Sequence, residues 1–504
     1  MARKHPPLVY AKKLLSILYH DDPKMDLIDR YAMGQQRDPW MPPTAGPEYY
    51  LLAQRSKTNV LDSVVKHPVQ MLYVDGVRPG RDLPAGTRLG DLPEWVHWQN
   101  SDLDRIQIAV HQGALRFGHS FALTEKRKGK VVTKGLSARR TAALYEDPAN
   151  DKCPLVALTI TEFPEPENEI EFGTAYLYDD TWKYPVSFKD WADTTSVTVH
   201  VGKKTRHGAS ICPIVRFAPL VDLEGRTIGL IEPLIVLQDR LNQTVFDLLM
   251  VQTYGAFKVR TVSGMAPPYI MERVVDDITG QTSLVPKLDE NGRPMMDEVQ
   301  LSAMRILFAS DPETKFGSLD ETPLDGYLAA IVDTLKTLSA LAQIPAHYVL
   351  GLVPNLAAEA MQAAETALER HVALLQQSFG SSWETVFRLA AEIGQIEEVT
   401  EDYKIEVSWK DMEARAMAKA ADAAVKLFNI GVPPEVLITD LPGMTTEKAD
   451  DWIEAIRENK AQLKLAEAIS GATTKRTQAS ATSRTQRVSE SRNSREESTS
   501  AEAA

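Results

Sequence analysis

The chain has 504 residues, 43% hydrophobic, 25% charged and 7% aromatic, with a formal net charge of −13. That length supports two or three hydrophobic cores. No run of about eighteen apolar residues offers a membrane span, two cysteines make no disulfide framework, and the acidic balance argues against a module that grips duplex DNA.

Residues 1–65 read as helical segments broken by Asp38-Pro39-Trp40-Met41-Pro42-Pro43, with a helix over Tyr49–Val65. No apolar stretch follows the basic N-terminus, so a secretory signal is not expected. Met71-Leu72-Tyr73-Val74-Asp75-Gly76 predicts a short strand closed by an Asp-Gly turn. An amphipathic helix over Asp102–Gly118 precedes a hairpin from Phe121 to Val132. Its tip is the basic run Lys126-Arg127-Lys128-Gly129-Lys130, read as a solvated turn, with nucleic-acid contact as the sharper alternative. Between Leu155 and His200, alternating β-branched and aromatic residues predict strands near 156–161, 170–178 and 196–201.

Residues 231–256 carry the clearest helical pattern. Leu234, Leu237, Leu241, Val245, Leu248 and Leu249 fall on one stripe. Gln238, Asp239, Asn242 and Gln243 put hydrogen-bonding groups on a second face, where solvent would draw Lys and Glu. Val259–Leu319 is rich in turn signals and predicts short strands of a small β subdomain. A second helix follows at Leu324–Ala342 and ends before Ile344-Pro345. On pattern alone, a helical hairpin in a large enzyme and a rod packed against copies of itself fit equally well.

Residues 344–356 read as an apolar loop in which His347 is a wall or interface residue. Asn355 suits the N-cap of a long helix from Ala357 to about Ile393, kinked near Phe379-Gly380. A strand at 403–409, a helix over Asp411–Asn429 and a last helix over Asp450–Ile469 complete the ordered elements. Past Ser470 the chain holds no Trp, Phe, Ile or Leu and is expected to be disordered.

The sequence has no Gly-Lys-Ser or Gly-Lys-Thr phosphate loop, no His-Glu-x-x-His, no Cys-x-x-Cys and no Gly-x-Ser-x-Gly. The acidic pairs Asp21-Asp22, Asp179-Asp180, Asp276-Asp277 and Asp450-Asp451 point to different sides of any helix or strand and read as surface. No catalytic residue, metal ligand or cofactor is expected.

Six segments, taken in order, resemble the portal proteins of long-tailed bacteriophages, especially those of phages infecting actinobacteria. They are Tyr50-Leu-Leu-Ala-Gln-Arg-Ser-Lys-Thr-Asn59, Ala114-Leu-Arg-Phe-Gly-His-Ser-Phe121, Ile214-Val-Arg-Phe-Ala218, Ile235-Val-Leu-Gln-Asp-Arg-Leu-Asn242, Leu341-Ala-Gln-Ile-Pro-Ala-His-Tyr-Val-Leu-Gly351 and Ala420–Leu441. The resemblance spans about residues 10–465 and lies in order and spacing.

What it implies is an α+β portal-protein fold assembled as a ring, usually of twelve subunits. Residues 1–230 and 357–410 would form a helical and mixed wing, 231–257 and 321–343 a two-helix stem, 258–320 a small α/β clip, 344–356 a tunnel loop and 411–469 a helical crown, with 470–504 a disordered tail. Such a ring sits at one capsid vertex of the virion, is assembled in the host bacterial cytoplasm, and is the channel for double-stranded DNA packaging and ejection, without sequence specificity. Its partners are terminase, the major capsid protein, scaffolding protein and a head-completion adaptor, with no membrane. His347, Tyr348 and Asn355 are the DNA-channel candidates on the tunnel loop, and Lys258 and Arg260 those at the stem–clip junction. Leu241, Val245 and Leu248 are the subunit-interface candidates, and the polar face of the same helix is expected against a neighbouring subunit. The rival readings are another minor head protein of a phage and a metal-dependent nuclease or hydrolase.

Overall fold

The structure, a computed structural model, describes residues 5–84, 87–165, 171–189, 197–255, 260–263, 269–275, 282–290, 292–295, 315–318, 323–351, 358–410, 416–433, 437–438, 449 and 451–462. The chain divides into two compact units, one of residues 1–36, 59–238 and 335–504, the other of 37–58 and 239–334. The expected tail past Ser470 lies outside the described residues.

Helix α1 (Pro7–Ala32) starts on a proline, whose fixed φ suits the first helical position. The single helix expected over 49–65 is two, α2 (Pro47–Ser56) and α3 (Leu61–Gln70). Between them the N–H groups of Thr58 and Val60 donate to the side chains of Asn242 and Gln238, so tertiary bonds replace helical ones. In β1 (Val74–Arg78), Asp75 and Gly76 lie at a bulge inside the strand rather than closing it. Then come α4 (Pro93–Asn100) and α5 (Leu103–Phe117), followed by the expected hairpin, β2 (Ser120–Arg127) and β3 (Lys130–Leu136). Its turn residues Lys128 and Gly129 have φ of 48° and 85°, as a two-residue type I′ turn requires.

Next are β4 (Thr141–Leu144), β5 (Val156–Glu162), β6 (Gly173–Tyr178), β7 (Trp182–Lys189), β8 (Thr198–Val201), β9 (Thr205–Arg206) and β10 (Ile214–Phe217). The second half of the chain holds α6 (Ile235–Gly255), β11 (Arg260–Ser263), β12 (Met271–Val275), β13 (Thr282–Pro286), β14 (Lys315–Ser318) and α7 (Asp325–Ala342). It closes with α8 (Ala346–Leu350), α9 (Ala358–Gly394), α10 (Glu397–Thr400), β15 (Glu406–Trp409), α11 (Ala416–Asn429) and helical residues 451–462.

The first unit is layered. Its largest sheet runs β4-β5-β6-β7-β8, antiparallel throughout, with β9 also on β7. One face carries Leu158, Leu177 and Phe188 against Leu14, Leu15 and Leu18 of α1. The other face sets Ala157 and Tyr178 against Phe121, Leu123 and Ile214 of the second sheet, β10-β2-β3. Burial on both faces explains why β5 reads as an apolar run as much as an alternating one. Helix α9 packs on β2, β3, β10 and β15. It runs unbroken through Gly380, where a Cβ would lie 3.1 Å from Val407 Cγ2, so this glycine serves the close approach of β15. A second close approach joins α5 to the chain before α6. A Cβ on Gly229 would lie 2.3 Å from Arg116 O, one on Gly118 2.9 Å from Thr227 O, and Leu230 N donates to Leu115 O at 2.7 Å.

Where these layers meet, Phe217, Phe379, Trp383 and Trp409 surround the fully buried His111, which stacks on Phe379 at 4.9 Å. Its Nδ1 donates to Leu72 O at 3.0 Å, and its Nε2 accepts from Trp383 Nε1 at 2.9 Å. A carbonyl only accepts and an indole only donates, so the tautomer is fixed and the ring is neutral. Burial holds its pKa down to about 3. Burial likewise holds His97 and His119 to about 4.

For these three imidazoles the folded pKa lies below the unfolded value, so their stabilisation is fully present above about pH 6.5 and is lost as pH falls toward the folded values. Half-buried Asp75, raised to about 6, acts with the opposite sign, as do Asp21 and Glu384, whose carboxyls burial also raises, but the buried imidazoles outweigh them. We therefore expect the urea midpoint to drop steeply between about pH 7 and about pH 5, each imidazole giving up about 2 kcal/mol. A midpoint level across that range would contradict the neutral core.

Candidate functional site

The polar face of α6 has partners in its own chain. In the first unit Gln238, fully buried, accepts from Val60 N at 3.3 Å. In the second unit Asn242 Oδ1 accepts from Thr58 N at 3.2 Å, and Gln243 Oε1 from Trp40 N at 2.7 Å. Gln243 Nε2 donates to Asp247 Oδ1 at 2.9 Å, which orients its amide. Below this clasp Phe246 packs with Leu52 and Ala53 of α2, beside Tyr49, Leu249 and Met250. The expectation that this face meets a neighbouring subunit is thus corrected for Gln238, Asn242 and Gln243. The non-helical N–H groups of residues 40, 58 and 60 need acceptors, and α6 supplies them. No local pattern near residue 40 or 58 signals this, because the partners lie about 180 to 200 residues away.

Of the subunit-interface candidates, Leu241 is 1% and Leu248 8% exposed within the single chain, whereas Val245 is only half-buried. An apolar side chain of α6 that does face outward is Val236, 76% exposed.

Residues 344–356, expected as a loop, include the short helix α8. Ile344 and Pro345 are buried just before it, so the apolar character of the segment partly reflects anchoring. His347 and Tyr348 do come together, ring centroids 4.5 Å apart. Sequence reasoning missed their third partner, His67 of α3, stacked on Tyr348 at 4.7 Å and 23°. Burial, and to a lesser degree the charge of His347, lower the pKa of His67. Asn355 and Lys258 lie outside the described residues. Arg260 stands opposite Ser318 in the β11–β14 pair, its side chain outside the described set. The short strands expected over Val259–Leu319 are seen as two antiparallel pairs, β11 with β14 and β12 with β13. The second pair exposes Met271, Val274 and Leu284.

Among the described residues, no group of three or more His, Cys, Asp or Glu is placed to hold a metal ion. No described helix is long and apolar enough to cross a membrane. The clasp makes a testable claim: Asn242→Leu, close in volume, leaves Thr58 N–H without its acceptor and should cost about 1–3 kcal/mol. Hydrogen exchange should show it as lost protection around residues 56–60, and unchanged protection there would contradict the clasp.

The chain matches the family described as phage portal protein, SPP1 Gp6-like, over residues 12–462. It is similar to the portal protein of Mycobacterium phage L5, 26% identical over 377 residues, 71% of this chain and 72% of that protein. With the portal protein of Mycobacterium phage D29 it is 26% identical over 378 residues, again 71% and 72% of the two chains. Among solved structures it is similar to a chain of the virion of a native gene transfer agent particle, with TM-score 0.42 and 12% identity, over 82% of this chain and 98% of that one. A match over residues 12–462 takes in α6, α7 and every described strand between them, and on that ground the chain belongs to the SPP1 Gp6-like phage portal protein family.

Proposed function

We propose that this portal-family chain assembles as a ring at one capsid vertex, encloses the path of double-stranded DNA during packaging and ejection, and offers docking surfaces to terminase, capsid and head-completion proteins. The observation that carries the reading is the family match across both α6 and α7 and the stranded insert between them. We keep the resemblance's count of twelve subunits and its division into wing, stem, clip, tunnel loop, crown and tail as part of the proposal. The chain's role in this reading is structural, with no catalytic residue and no cofactor.

Exposed apolar side chains support the assembly. Leu328 and Val332 of α7 are four residues apart and exposed, as are Met271, Val274 and Leu284 on the β12–β13 pair. Ring closure covers such faces without leaving a free edge. His347 and Tyr348, and with less to go on Arg260, Lys258 and Asn355, are kept as channel residues. Tyr348 in this reading is held by His67 rather than free to move with DNA.

Purified protein should give rings by negative-stain imaging and a mass of many subunits by light scattering. A monomer at every salt and protein concentration would sink the ring. Val245→Asp, at a half-buried site, should dissociate rings while circular dichroism stays that of the parent. Leu241→Asp places a carboxylate in a fully buried site and should instead destabilise the subunit itself by several kcal/mol. Rings intact in Val245→Asp would move the interface off this face of α6.

A further inference from the structure

The tip of the β2–β3 hairpin is a basic surface on an acidic chain. Lys126, Arg127, Lys128 and Lys130 are all exposed, and Gly129 is the one other residue of the run. Just below them Glu125 accepts from Lys134 and Lys183, each at 2.8 Å, with Arg127 at 3.7 Å. Three cations therefore share one carboxylate, and Lys126, Lys128 and Lys130 add three more positive charges beside them. Among the described residues no carboxylate pairs with Lys126, Lys128 or Lys130.

The support under these charges is stiff. The strands stay in register from Phe121↔Leu136 to Arg127↔Lys130, and Thr124 and Thr133 share a hydroxyl bond of 2.8 Å. The type I′ turn holds the tip, and Lys183 ties the hairpin to β7 through Glu125. A positive excess held this way is ordered before any ligand arrives.

We infer that this hairpin binds the phosphate backbone of double-stranded DNA, without sequence preference and through residues other than the channel candidates. Two features favour a duplex over an acidic protein. Specific protein interfaces centre on aromatic or aliphatic anchors, and the run from 126 to 130 holds none. Three of its four cations are lysines, which meet phosphate as point charges without the rigid fork that fixes Arg on a base edge, so its contacts fall on phosphates. The chain's net charge of −13 repels DNA overall and makes a local basic tip the place of contact.

The test uses the full-length protein and a fluorescein-labelled duplex of about 30 base pairs, with anisotropy followed from about 50 to about 200 mM salt. Replacing Lys126, Arg127, Lys128 and Lys130 together by Gln should weaken binding about tenfold or more at about 150 mM. The slope of log affinity against log salt should fall by about 3 to 4, near 0.9 per lost phosphate contact. The charge-keeping set Lys126→Arg, Lys128→Arg and Lys130→Arg should bind like the parent, and duplexes of different base composition should bind alike. Parental affinity and slope in the Gln variant overturn the inference. So does binding of a glutamate-rich peptide when duplex DNA leaves the anisotropy unchanged. The assay reads affinity, not assembly: a parent that forms no rings yet binds duplex through these four residues supports the inference and counts against the ring.

Discussion

His111 can keep both of its hydrogen bonds only while uncharged, and the first unit is arranged to keep it so. Leu72 just before β1, Trp383 on α9 and Phe217 on β10 all meet at the ring of His111 on α5. The indole N–H of Trp383 has an acceptor there although it is fully buried, which lets a large aromatic sit in the core without an orphaned donor. Trp98 packs edge-on to Trp383 at 5.0 Å and reaches Asp104 Oδ1 with its own indole N–H at 2.9 Å. Helix α9 thus gains a fixed rotation as well as a buried face. The two sheets and α5 are placed against that helix.

Legibility followed the range of the interactions. The α5 helix and the β2–β3 hairpin are set by local chemistry, periodicity in one and turn residues in the other, and both fall where the sequence puts them. β7 is hard to read from sequence because Pro185 sits in mid-strand, a position that argues against a central strand. The structure tolerates it opposite Tyr176, where its carbonyl still accepts from Gly202 N. The split of 49–65 into α2 and α3 was invisible for a different reason, since the acceptors that break the helix belong to residues 238 and 242. Among the channel candidates, the pairing of His347 with Tyr348 follows from adjacency, while His67 joins them through tertiary packing alone.

The amides of α6 show how a correct pattern can carry the wrong meaning. Gln and Asn on a helix face signal that backbone polar groups lie nearby, and they do not say whose. Here the groups belong to residues 40, 58 and 60 of the same chain. Segment 37–58 therefore joins the helix–insert–helix part of the protein in one unit, 37–58 with 239–334, although it precedes that part by about two hundred residues. The apolar residues left exposed on α7 and on β12–β13 are a cleaner sign of surface that some other molecule covers.

The contact between Gly118 and Gly229 bears on how this protein can change over time. There the chain leading to α6 lies directly on the end of α5, main chain against main chain, with no side chain between them. A junction made of backbone atoms is indifferent to the identity of the residues around it. Surface and core can be exchanged piecemeal while the direction in which the chain approaches α6 is kept, so long as those two sites carry no Cβ. Divergence of the order seen with the mycobacteriophage portal proteins, 26% identity, is compatible with such a joint, whereas one alanine at Gly229 would pry it open.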